Sequence, residues 1–146
     1  MLRVAQRHTV RISVILEGQG QILTHLIIQA HGAMTRVGIT PPPVTITADD
    51  PRLLRGKPFP DPFLLAASCL GFDAERCVVF EDSPSGIRAG VASGAKVIAL
   101  CTSHQREQID DCGANWVVPN MKSVDVRIVE KEGKEGEVEL EFTVKL

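Results

Sequence analysis

No stretch of this chain approaches the ~18 consecutive apolar residues that cross a bilayer, so a membrane protein is not expected. Nor is there a Lys/Arg cluster to track a phosphate backbone. Sixteen basic residues against eighteen acidic ones leave a net charge of -2, which argues against nucleic acid as a partner. Cys69, Cys77, Cys101 and Cys112 never reach the C-x-x-C spacing of a zinc or redox site, and they read as reduced, mostly buried thiols. His8, His25, His31 and His104 show no metal-ligand spacing and read as surface or core residues. The N-terminal residues 1–21 carry Arg3, Arg7 and Arg11 but no apolar run of secretory length, which predicts a cytoplasmic setting. The lack of any acidic residue before Glu17 leaves a transit-peptide-like composition as a minor alternative.

What is present fits one soluble globular domain: 146 residues, 44% hydrophobic and 23% charged, within ordinary globular limits. Short β-branched stretches alternate with segments of helical apolar spacing, and that rhythm predicts parallel strands joined by right-handed crossovers. Strands are expected at residues 44–47, 77–80, 96–100 and 116–118. A helix opening at Pro62 should bury Phe63, Leu64, Ala67 and Leu70 and stop at Gly71. A second, capped by Ser83 with Pro84 at its first position, should end at Gly94. A short helix over 105–112 should close at Gly113. Residues 126–130 and 137–144 alternate in polarity around Gly133 and Gly136, the pattern of an antiparallel hairpin with one wet face. A further strand is possible at 10–16. The expected architecture is α/β: a three-layer, Rossmann-like parallel sheet with a C-terminal antiparallel β-hairpin. Its segments are a divergent N-terminal stretch (1–43), a core (44–124) and the hairpin (125–146).

Two clusters could carry chemistry. In Arg55-Gly56-Lys57-Pro58-Phe59-Pro60-Asp61 a lysine sits between a glycine and a proline, after one strand and before a helix. Proline restricts the residue before it, so Lys57 is aimed by its backbone, and a compact ammonium suits a phosphoryl oxygen or a carboxylate. The plainer reading is a solvated loop lysine. In Val79-Phe80-Glu81-Asp82-Ser83-Pro84-Ser85-Gly86 two carboxylates leave a buried strand at its carboxyl end, the edge where open α/β sheets bind ligands. Adjacent like charges favour a neutralising cation, and hard oxygens without a nearby imidazole or thiolate favour magnesium. Asp82 is the first candidate ligand and Glu81 the second. Alternatively, Asp82 or Ser83 only caps the next helix.

Taken together, the ordered segments Ile46-Thr47-Ala48-Asp49-Asp50, Gly56-Lys57-Pro58-Phe59-Pro60-Asp61-Pro62, Val79-Phe80-Glu81-Asp82-Ser83-Pro84-Ser85-Gly86-Ile87-Arg88-Ala89-Gly90 and Ala92-Ser93-Gly94-Ala95 resemble the haloacid dehalogenase superfamily. Within it they are most similar to small sugar- and polyol-phosphate phosphatases such as the glycerol-phosphate and 2-deoxyglucose-6-phosphate phosphatases. The resemblance covers about half of the chain, and the acidic hairpin after Lys122 looks like the ending of the same enzymes. It implies hydrolysis of a small phosphorylated metabolite through an aspartyl-phosphate. In that chemistry magnesium and a lysine neutralise developing charge. Lys57 corresponds to that lysine, Asp82 to the metal ligand and Glu81 to its neighbour. Lys57 and Asp82 are expected to converge at one sheet edge.

The family's nucleophile lies in an Asp-x-Asp motif, and this chain contains none. Too few residues precede the matched region for the family's cap domain, so an incomplete core and a truncated chain are expected. Glu17, after the possible strand at 10–16 and before Gly18-Gln19-Gly20, is the one remnant that could stand for the nucleophile. It is a methylene longer than aspartate, and a misplacement of ~1 Å can cost 10²-fold. Gln19 could not act as acid or base. Thr24 is the weak counterpart of the family's phosphoryl-binding Ser or Thr. Two readings follow: a magnesium-dependent phosphomonoesterase with impaired turnover, or a non-catalytic remnant that binds magnesium or phosphate at most. A flavodoxin-like module would need its acids near the first strand and a lysine on the last, which is not the order here.

Overall fold

A computed structural model describes residues 7–15, 44–130 and 137–145, with the backbone alone described for 7–15, 130 and 137–139. Strand β1 spans Arg7–Ile15. Helix α1 (Asp61–Cys69) carries Pro62 in its first turn, where the missing N–H costs nothing. It ends before Gly71, whose φ of 74° suits a residue without Cβ. Strand β2 (Val78–Glu81) leads into helix α2 (Pro84–Ala92), whose cap Ser83 accepts a hydrogen bond from the Gly86 amide. After β3 (Lys96–Leu100) come a single turn, α3 (Arg106–Ile109), and a 3-10 turn over Asp110–Cys112. Strands β4 (Trp116–Val118), β5 (Val124–Glu130) and β6 (Glu137–Lys145) complete the described chain.

The strands form two sheets among the described residues. One is parallel with order β2-β3-β4, and the other is antiparallel with order β1-β6-β5. Register aligns Glu81 with Ala99 and Leu100 with Val118, so the carboxyl ends of the three parallel strands share one edge. Alternation along each parallel strand sends its residues to two different cores. Val79, Val97, Ala99 and Val117 join Phe63, Ile87, Ala89, Ile109 and Cys112 from the helical side. Ile98 and Val118 join Val124, Phe142 and Val144 of the antiparallel sheet, with Val78, Phe80 and Trp116 against them. The Phe80 and Phe142 rings lie 6.1 Å apart between centroids. Helices, parallel sheet and antiparallel sheet therefore stack as three layers. Burying an isoleucine such as Ile98, 1% exposed, contributes about 1.5–3 kcal/mol. No helix among the described residues is long and apolar enough to cross a membrane.

The strands at 96–100 and 116–118 and the terminal hairpin stand where the sequence places them. Four expectations need correction. Residues 44–47 belong to neither sheet among the described residues, although Ile46 is buried, because a strand needs a ladder as well as β-branched residues. Leu64 is exposed, since α1 buries the stripe of Pro62, Phe63 and Ala67 and leaves the next position facing water. The strand near 10–16 exists as β1, but it pairs antiparallel with β6 and does not enter the parallel sheet. Among the four free thiols only Cys112 is buried, Cys69 being exposed and the others half-buried. Burial pushes the Cys77 thiol up, which keeps it protonated and unreactive.

Candidate functional site

The loop that carries Lys57 is braced at several points. Arg55 forms a two-pronged ion pair with Asp61, 3.0 Å at its shorter bond, and stacks over the Phe59 ring at 4.4 Å. That guanidinium holds the Asp61 carboxyl below its ordinary range. The Lys57–Pro58 peptide is cis. Between these braces the Lys57 ammonium lies 5.5 Å from the Phe63 ring centroid, within cation–π range, and forms an ion pair with Glu81. Glu81 is buried and Lys57 partly buried, with side-chain exposures of 8% and 13%. A carboxylate is tolerated in the interior where its charge is matched, and here it is.

Glu81, the last residue of β2, stands against the first turn of α2. Its Oε1 faces Lys57, while Oε2 accepts from the Asp82 amide at 3.2 Å, the Ser83 amide at 3.4 Å and the Ser83 hydroxyl at 3.1 Å. The start of a helix favours negative charge, because its free N–H groups and dipole point there. A Cβ at Gly86 would overlap the Glu81 carboxylate, so the glycine is what lets the acid lie this close to the helix.

Asp82 turns the other way. Its Oδ2 accepts from the Thr102 hydroxyl at 3.0 Å, and its backbone carbonyl lies 2.9 Å from both the Ser103 hydroxyl and His104 Nδ1. Thr102, Ser103 and His104 follow β3 after Cys101, so two adjacent strand ends meet at this residue. The lysine and the acidic pair thus share the carboxyl edge of β2, with Glu81 as the direct partner of the lysine and Asp82 bonded to the neighbouring loop.

A cavity of about 330 Å³ opens beside this edge, lined by Thr47, Gly56, Lys57, Ser83 and Ser85 with Ile46 and Leu53 among its apolar walls. Of its polar lining, the Lys57 ammonium, the Ser85 hydroxyl and the start of a helix suit an anion, while the Ser83 hydroxyl already donates to Glu81. As to magnesium, no group of three His, Cys, Asp or Glu side chains among the described residues is placed to hold a metal ion. Magnesium nevertheless keeps several waters and is bound through one or two carboxylates. Asp82 fits that role, whereas Glu81 would have to release donors it already serves. Glu17 and Thr24 lie outside the described residues.

Sequence reasoning missed the loop after β3. His104 was expected to be a plain surface or core residue, yet it is half-buried against the Asp82 carbonyl. The available signal was position: three polar residues follow an apolar strand at the same sheet edge as the acidic pair.

Residues 26–94 match the family model of haloacid dehalogenase-like hydrolases. Glycerol-1-phosphate phosphohydrolase 1 of Saccharomyces cerevisiae is 36% identical over 108 residues, covering 69% of this chain and 42% of that protein. The 2-deoxyglucose-6-phosphate phosphatase 1 of the same yeast is 36% identical over 92 residues, covering 58% and 37%. Among solved structures, a conserved haloacid dehalogenase-like protein of unknown function from Agrobacterium tumefaciens superposes with a TM-score of 0.57 at 32% identity, over 65% of this chain and 47% of that one. The chain spans about two fifths of the length of these yeast relatives.

Proposed function

From the premise that residues 26–94 form a segment of the haloacid dehalogenase-like hydrolase family, we propose that this chain acts on small sugar or polyol phosphate monoesters as a magnesium-dependent phosphatase with impaired turnover. The observation that carries the reading is the part-buried Lys57–Glu81 pair at the start of α2, beside a cavity whose polar walls are Lys57, Thr47, Ser83 and Ser85. The relatives named for glycerol 1-phosphate and 2-deoxyglucose 6-phosphate support the substrate class.

In this reading Lys57 places a positive charge at the wall where phosphoryl oxygens would sit, and Glu81 keeps its ammonium from swinging away. The Ser85 hydroxyl and the helix start orient the anion. Asp82 is the residue that would hold magnesium. A bound magnesium ion supplies neutralisation of the charge spread over the transferring phosphoryl oxygens. The sequence has no Asp-x-Asp, so attack on phosphorus would fall to Glu17, a methylene longer than aspartate, and turnover would be impaired.

The test is phosphate release from glycerol 1-phosphate and p-nitrophenyl phosphate with and without magnesium. Slow, magnesium-dependent release that Asp82→Asn and Lys57→Met both abolish is expected. The lack of an Asp-x-Asp also favours a second reading, a non-catalytic chain that binds magnesium or phosphate. Saturable phosphate binding without any release would establish that reading and overturn the first. Absence of both binding and release would sink the two together.

A further inference from the structure

Three side chains outside the lysine loop and the acidic pair converge on one residue of the site. Thr102 Oγ1 donates to Asp82 Oδ2 at 3.0 Å, Ser103 Oγ donates to the Asp82 carbonyl at 2.9 Å, and His104 Nδ1 lies 2.9 Å from that same carbonyl. Ser103 Oγ and His104 Nδ1 are themselves 2.9 Å apart. A carbonyl oxygen only accepts, so the proton between it and the ring belongs to Nδ1. The serine hydroxyl spends its hydrogen on the carbonyl, leaving its oxygen free to share the Nδ1 proton. These bonds tie the end of β2 to the loop after β3 across a distance of twenty residues in sequence.

We propose that the Thr102–His104 loop is a positioning clamp for Asp82, in which the Thr102 hydroxyl fixes the carboxylate and leaves Oδ1 as the oxygen offered to a divalent cation. This rests on Asp82 being the cation-holding residue of the site. Asp82 is half-buried and bears a short side chain whose χ torsions would otherwise be free. A hydrogen bond to one carboxylate oxygen removes that freedom before the cation arrives. Groups that orient a ligating carboxylate commonly change metal affinity by roughly 10–100-fold when removed. Ser103 and His104 act on the backbone of the same residue, so they set where the carboxylate stands, and Thr102 sets how it is turned.

The experiment titrates the full chain with manganese alone, followed by the electron paramagnetic resonance signal of free Mn²⁺, for the parent, Asp82→Asn, Thr102→Val and Thr102→Ser. Expected are saturable binding by the parent, its loss in Asp82→Asn, a weakening of about tenfold or more in Thr102→Val, and recovery in Thr102→Ser, which restores the hydroxyl. Thr102 is exposed, and unchanged circular dichroism would show that the valine variant is folded. If Thr102→Val cannot be obtained folded, Thr102→Ala in the same comparison with Thr102→Ser decides. Binding that needs Asp82 but is equal in the parent and both Thr102 variants overturns the clamp and leaves the cation role of Asp82 standing. Binding unaffected by Asp82→Asn, or none at all in the parent, overturns both.

Discussion

The two sheets meet through Ile98, Val118, Val124, Phe142 and Val144, yet they use their residues in opposite ways. The parallel sheet is covered on both faces, its central strand holding Val97, Ile98 and Ala99 at 0–1% exposure, and its polar groups are pushed out to the carboxyl ends. There Glu81, Asp82 and Thr102–His104 gather. The antiparallel sheet has room to spare: beyond the seam, Val126 and Ile128 of β5 are 48% and 57% exposed. Where a sheet is sealed on both sides, chemistry can only be placed at its edges. Where one face is partly open, single side chains matter less.

That contrast can be broken in order of effect. Lys57→Met leaves the Glu81 carboxylate buried without its counter-charge and should cost about 3–5 kcal/mol in urea unfolding. Ile128→Thr, on the open part of the other sheet, should stay within about 0.5 kcal/mol. Equal losses would show that the two regions do not differ as described. Gly86→Ala should come next, at about 1–3 kcal/mol from forced overlap with Glu81. Its cost should shrink in a Glu81→Ala background, and the double-mutant cycle reads this coupling directly.

The smallest effect is a pH dependence that neither sheet shares. Arg52 forms three hydrogen bonds to Asp50, through its backbone amide, Nε and Nη2, and its side chain holds the Asp50 carboxyl down to about 2. A pKa lowered on folding contributes stability above the unfolded value, near ~3.9. The contribution fades as pH falls toward the folded value. The stability difference between the parent and Asp50→Asn should therefore be constant at neutral pH and close between about pH 4 and 2. A difference that persists at pH 2 would assign the effect to packing instead.

Much of this was legible because some segments have one solution. Residues 96–100 and 116–118 are apolar runs bounded by turn residues, and Ser83-Pro84 opens a helix in the way its hydroxyl and ring require. The sequence offered a possible strand at 10–16 but not its neighbour. The register with β6 is a tertiary choice. The family resemblance implied that Lys57 and Asp82 meet at one sheet edge, without telling that Glu81 is the acid that turns to the lysine. That choice depends on α2 beginning beside Glu81 and on Gly86 leaving space. The loop after β3 was opaque for a related reason: Thr, Ser and His in sequence read as ordinary turn chemistry until a second strand end lies against them.

The pairing of β1 with β6 sets Arg7 opposite Lys145, joining the first described residue to the last. During synthesis β1 must wait for β6, the last described strand, before its ladder can form, while β2, β3 and β4 can pair as they appear. Closing so long a loop is slow more than it is costly, because the entropic penalty grows only logarithmically with length. The parallel sheet should therefore form before the β1–β6 ladder, and removal of residues 137–145 should leave β1 without its partner and uncover Ile98 and Val118, which pack against Phe142 and Val144.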